Sequence, residues 1–95
     1  MNTIAEPEIE TDIDAAIDEL IKPNKALIIY NDDVNTFDHV IRCLVAYCKH
    51  SKIQAEQCAL IIHHSGKADV KHGSFEELKP VCEALLEQGL SAKIE

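Results

Sequence analysis

Ala26-Leu27-Ile28-Ile29-Tyr30 is an unbroken apolar run rich in β-branched side chains within a chain of 95 residues. Its length and content mark a buried strand. The chain downstream has to pair with that strand and cover it. Asn31-Asp32-Asp33-Val34-Asn35-Thr36 follows at once, and Asn and Asp favour a turn because their side chains bond nearby backbone groups.

Thr36 is placed to cap a helix over about 37–50. Phe37, Val40, Ile41, Leu44, Val45 and Cys48 form its apolar stripe. Ser51 and Gln54 have capping-box spacing and open a second helix over 53–64, with Ala55, Cys58, Ala59, Ile62 and His63 along it and Gly66 to end it. Residues 67–73 alternate like a half-exposed strand. Ser74 and Glu77 repeat the capping box before a third helix carrying Phe75, Leu78, Val81, Cys82, Leu85 and Leu86, stopped by Gly89. Pro80 lies past the first turn, where it is expected to kink or delay the helix. Leu90 to Ile94 reads as a last strand. The predicted fold is α+β: a small three-stranded sheet with three helices packed on one face.

Residues 1–24 hold seven acids and one base, Lys22. They read as a flexible acidic N-terminal arm, with 25–95 as the domain. Ile9, Ile13, Ile17, Leu20 and Ile21 recur at helical spacing, so an amphipathic helix formed on a partner is an alternative to a solvated tail. The net charge of −8 argues against nucleic-acid binding and favours cationic partners such as a protonated α-amino group. No apolar run is long enough to span a bilayer, and the start lacks the basic and apolar regions of a secretory signal. A cytoplasmic monomer is expected. Cys43, Cys48, Cys58 and Cys82 form no C-x-x-C pair and read as reduced core residues. His39, His50, His64 and His72 read as solvated surface residues.

Two stretches stand out together. Asn31-Asp32-Asp33 directly follows a buried strand, and Ile62-His63-His64-Ser65-Gly66-Lys67-Ala68 closes the second helix. Together, and at this separation, they resemble the ClpS family of Clp protease adaptors over roughly residues 26–95. The resemblance implies a fold similar to the C-terminal domain of the ribosomal stalk protein. It also implies a non-enzymatic adaptor, without cofactor or metal, that binds bulky hydrophobic N-terminal residues of substrate proteins. Substrates would pass to a Clp AAA+ unfoldase of the ClpA or ClpC type, docked through its N-domain. The family's amine-binding positions fall on Asn31, Asp32 and His63. Its side-chain pocket falls on Tyr30, Asp33, Asn35, Phe37, Val40, Ala59, Ile62 and Leu90. Phe37 and Ala59 stand where the family usually has Met. The unfoldase-docking stretch departs from the family pattern and shifts the expected contact to Glu76, Glu77 and Lys79.

The chemistry is coherent by itself. A peptide N-terminus is a compact cation with three donors; Asn31 offers an amide oxygen, Asp32 a carboxylate or backbone oxygen, and neutral His63 a ring nitrogen. Alternatives remain at this level: a docking module without N-terminal recognition, a stalk-like ribosomal domain, a metal site from Cys58, His63, His64 and His72, or a Cys–His hydrolase.

Overall fold

The computed structural model describes residues 24–95 together with the single position Ile13. The arm expected over 1–24 therefore lies, apart from Ile13 and Asn24, outside the described residues. The elements follow the predicted order: β1 (Lys25–Tyr30), α1 (Phe37–Cys48), α2 (Lys52–Ser65), β2 (Lys67–Gly73), α3 (Phe75–Glu87) and β3 (Ser91–Ile94). The sheet order is β2-β1-β3 with both pairings antiparallel, so the apolar run is the central strand.

Helix boundaries follow local chemistry. Thr36 Oγ1 accepts from His39 N at 3.1 Å, Ser51 Oγ from Gln54 N at 3.1 Å, and Ser74 and Glu77 form both halves of a capping box. Each cap satisfies an amide that the first turn leaves unpaired. Pro80 does not delay α3, which is helical from Phe75 through Glu87. Proline removes the donor to the Glu76 carbonyl, but both residues are exposed, so the lost bond is on the solvent side of the helix and not in the core.

Leu27 and Ile29 of β1 pack with Leu44 of α1, Ala55 and Ile62 of α2, and Leu78 and Leu85 of α3 in one core. Leu27, Ile29, Leu44, Leu78 and Leu85 are fully covered, and each such side chain contributes about 1.5–3 kcal/mol. The α1 stripe is rotated relative to the pattern read from sequence: Cys43 is buried, while Phe37 and Val45 are 41% and 40% exposed. The second face of β1 is covered differently. Ile28 lies outside the helix-packed cluster yet is only 6% exposed. The Tyr30 hydroxyl donates to the Glu95 carboxylate, and Glu95 pairs with Ala26 through two backbone bonds of 2.8 Å. The phenol and the carboxylate therefore reach toward each other along the strand, over Ile28. Accepting from that phenol, the carboxylate holds the Tyr30 pKa above its usual value.

His50 departs from the sequence reading, which placed it on the surface; it is 6% exposed. Lys49 ends α1 in the left-handed region at φ 59°, which turns the chain inward. The His50 amide then donates to Leu44 O at 3.2 Å, and Nε2 lies 2.7 Å from Val70 O. Val70 is the extra residue of a β-bulge that shifts the register between Leu27 and Ile28. His50 thus ties the end of α1 to an irregular point of the sheet, with Nδ1 buried and unpartnered. His50→Leu should destabilise the chain by about 1–3 kcal/mol, because the Val70 carbonyl loses its donor. Urea unfolding measures this, and an unchanged midpoint would remove His50 from that structural role.

Candidate functional site

The site is built where β1 ends. Asn31 N donates to Gly66 O at 2.8 Å, and Gly66 N donates to Ile62 O at 2.9 Å. Gly66 adopts φ 91°, a conformation that glycine enters without steric cost. These bonds hold the exit of β1 against the C-terminus of α2, so Asn31 and His63 face a common space.

Asp32 organises the loop between them. Its Oδ1 accepts from Val34 N at 3.0 Å and Asn35 N at 2.9 Å. Its Oδ2 accepts from Asn35 Nδ2 at 2.8 Å and Ser91 Oγ at 3.0 Å. Asn35 Nδ2 also donates to Gly89 O at 2.8 Å, joining the loop to the turn before β3. These donors, the Asn35 amide first, hold the Asp32 carboxyl below its ordinary value of 3.8 against an opposing contribution from burial. A carboxylate has about four lone-pair sites, and four protein donors fill them.

The result is a cavity of about 300 Å³ lined by Asn31, Asp32, Asp33, Asn35, Phe37, Val40, Ala59, Ile62 and His63. Its apolar floor comes from Ala59 and Ile62, 2% and 4% exposed. Phe37 meets the His63 ring edge-on with centroids 6.5 Å apart, and His63 meets His64 in the same way at 5.6 Å. Tyr30 and Leu90 line a smaller neighbouring cavity of about 20 Å³, shared with Asn31, Asp32, Asn35, Val40 and Ile62. The structure therefore brings all eleven site positions read from sequence to one end of the sheet, in two adjoining cavities. Sequence reasoning missed Ser91 and Gly89, which lie 59 and 54 positions from their loop partners. The one available signal for Ser91 is the antiparallel register that sets it opposite Tyr30.

Glu76, Glu77 and Lys79 lie apart from this cavity, exposed on the first turns of α3. Glu77 Oε1 accepts from Ser74 N at 2.8 Å, so that carboxylate is part of the helix cap. Burial raises the thiol pKa of Cys43, Cys58 and Cys82 and pushes Cys48 up to about 11. Cys43 Sγ lies 3.6 Å from His39 Nε2, yet the raised thiol runs against the thiolate that a Cys–His hydrolase needs. Among the described residues, no three His, Cys, Asp or Glu side chains gather to hold a metal ion. No described helix is long and apolar enough to cross a membrane.

Comparison with known proteins places this geometry. The family model for ATP-dependent Clp protease adaptor protein ClpS matches residues 22–93. The chain is 37% identical over 70 residues to the ATP-dependent Clp protease adapter protein ClpS of Thermosynechococcus vestitus, covering 73% of this chain and 74% of that one. It is 34% identical over 68 residues to the protein of the same name from Streptomyces coelicolor, covering 72% and 71%. Among solved structures, that of Agrobacterium tumefaciens ClpS2 bound to L-phenylalaninamide superposes with a TM-score of 0.73 at 18% identity, over 76% of this chain and 94% of that chain. That last likeness is one of fold.

The Asp32 latch has a pH signature. A carboxyl whose folded pKa is depressed stabilises the fold above its unfolded value and loses that contribution as pH falls through the folded one. The amide protons of Val34 and Asn35 should therefore titrate together with a midpoint below 3.8, the ordinary Asp value. Asp32→Asn should abolish that titration and loosen both amides, as read by NMR. A midpoint at or above the ordinary value would refute the latch.

Proposed function

The chain belongs to the ClpS family of ATP-dependent Clp protease adaptors, and from that premise we propose that its cavity receives the first residue of a polypeptide with a free, bulky hydrophobic N-terminus, for delivery to a Clp unfoldase. One observation carries this reading: acceptors and apolar walls meet in a single open cavity of about 300 Å³. The Agrobacterium tumefaciens protein is bound to L-phenylalaninamide, which sets a free α-amine beside an aromatic side chain. The present cavity offers places for both.

In this reading Asn31 Oδ1, the main-chain oxygen of Asp32 and a ring nitrogen of His63 surround the amine. The Asp32 carboxylate, already filled by four donors, supplies negative potential and holds the loop. Phe37, Val40, Ala59 and Ile62 enclose the side chain, while Asp33, Asn35, Tyr30 and Leu90 shape the rim and base. The Phe37 ring narrows one wall where Ala59 widens the other. Burying one Leu or Phe contributes about 1.5–3 kcal/mol, and each bond to the charged amine adds about as much. After ordering costs, the sum corresponds to micromolar or somewhat tighter binding.

The domain spans 25–95, the arm 1–24 assists hand-over, and the chain acts as a monomer in the cytoplasm without catalysis. Its unfoldase is of the ClpA or ClpC type and meets the exposed start of α3. Since Glu77 caps that helix, Glu76 and Lys79 are the residues that test docking cleanly.

Fluorescence anisotropy with peptides beginning in Phe, Leu, Trp, Ile or Ala decides the first step. A free Phe or Leu start should bind at least tenfold more tightly than its acetylated form, and His63→Ala should cost at least as much, since one charge-assisted bond amounts to about 1.5–3 kcal/mol. No binding by any peptide would favour a docking module without N-terminal recognition. For the second step, Glu76→Lys with Lys79→Glu should weaken unfoldase binding while leaving peptide affinity unchanged. Equal unfoldase affinity would move the docking surface elsewhere.

A further inference from the structure

The outer face of α1 carries a second cavity that the peptide site does not use. It measures about 190 Å³ and is lined by His39, Arg42, Cys43, Ala46 and Tyr47 of α1 and by Gln88 at the end of α3. His39, Arg42, Cys43, Ala46 and Tyr47 repeat at i, i+3, i+4, i+7 and i+8, so they share one face of the helix. Gln88 O lies 2.9 Å from His39 Nε2 and closes one side. Arg42 is the sole arginine of a chain with 17 acids and 9 lysines and arginines, and it makes no ion pair among the described residues. An exposed guanidinium with five donors is thus left unpaired in an acid-rich molecule. Lys49, the left-handed residue that ends the helix, is also exposed and adds a second cation at that end of α1. Tyr47 and Val45 are 37% and 40% exposed and supply apolar contact. Asp38, one turn before Arg42, is the acid of this face.

We propose that the chain's own residues 9–18 dock in this groove. Charge complementarity is the first argument: that segment carries Glu10, Asp12, Asp14 and Asp18 without a base. Its apolar residues Ile9, Ile13 and Ile17 recur every four positions, which sets them on one helical face, and Ile13 is helical. The groove offers the matching pair, the Arg42 guanidinium beside the Tyr47 ring, with Lys49 exposed at the end of the same helix. Reach is the second argument. The arm joins the domain at Lys25, paired with Gly73 of β2. His50, one residue past Lys49, is bonded to Val70 on the same strand. Val70 is three positions along β2 from Gly73, so the C-terminal end of α1 meets the sheet roughly 10 Å from where the arm enters. The fifteen steps from Ile9 to Asn24 span roughly 22 Å as helix and about 50 Å when extended, enough to lay the segment along α1 from Lys49 toward His39. The docked arm is a resting position, held in part by screened charge and given up when the arm engages a partner.

Amide NMR of the full chain tests this independently of the peptide site. In the wild type at low salt, order parameters for residues 9–18 should exceed the ~0.6 that marks flexible backbone. They should fall below it in Arg42→Glu with Lys49→Glu, and in Tyr47→Ala, whereas the charge-matched control Lys52→Glu with Lys79→Glu should leave them unchanged. Adding Asp14→Lys with Asp18→Lys to the first variant should restore them. Values below that mark in the wild type, or equal values in the wild type and both groove variants, would overturn the proposal. Order that grows with protein concentration would also overturn it, by assigning the groove to a second copy.

Discussion

Four donors converge on the Asp32 carboxylate, and the shape of the cavity at the end of β1 depends on that convergence. Two come from the backbone of Val34 and Asn35, one from the Asn35 side chain and one from Ser91 on the far edge strand. A polar loop of this length would otherwise exchange its turns freely with water. Here the charge fixes the turn and also links it to β3, while Asn35 carries a second bond to Gly89 O. The start of the loop is pinned separately through Asn31 to Gly66. The loop is therefore anchored to α2, to the turn before β3 and to β3 itself, which under the proposed reading lowers the ordering cost of binding.

Much of this was legible in the residues because it is local. Thr36, Ser51 and Ser74 cap helices where their spacing says they should, and the apolar run 26–30 is the central strand. The less legible parts rest on contacts between distant positions or on side chains serving two purposes. Nothing near His50 in sequence reports that Val70 will offer it a carbonyl, since that carbonyl sits at a bulge created by pairing with β1. Nothing near Asp32 reports Ser91. Glu77 looks equally suited to a partner and to a cap, and local geometry gives it to the cap. The buried stripe of α1 is narrower than its apolar pattern at Phe37 and Val45, because periodicity sets a direction of burial and neighbouring elements set its width.

α2 illustrates the same limit from the other side. Its inner positions Ala55, Ala59 and Ile62 are buried, yet Ile53, Leu60 and Ile61 are 71%, 43% and 49% exposed. Apolar residues on both sides blur the helical period, so the sequence marks a helix without marking its inner face. Small residues settle it physically. Ala55 and Ala59 let α2 approach the sheet closely, and a large side chain at Ala59 would occupy space that now belongs to the cavity.

The two faces of β1 divide the labour that makes such a site possible on a small domain. Leu27 and Ile29 spend their side chains on the helices, while Ile28 is buried outside that cluster and the Tyr30 hydroxyl bonds the Glu95 carboxylate. Tyr30 holds the last pleat of the strand from behind while the next residue, Asn31, turns into the cavity. A strand end is ordinarily where a sheet frays. Here it carries a side-chain bond on one face, a backbone bond to Gly66 one residue on, and the Asp32 latch immediately after. In the proposed reading, that succession of restraints is what lets an exposed polar loop present acceptors at fixed positions to a small cation, and so discriminate a free amine from a blocked one.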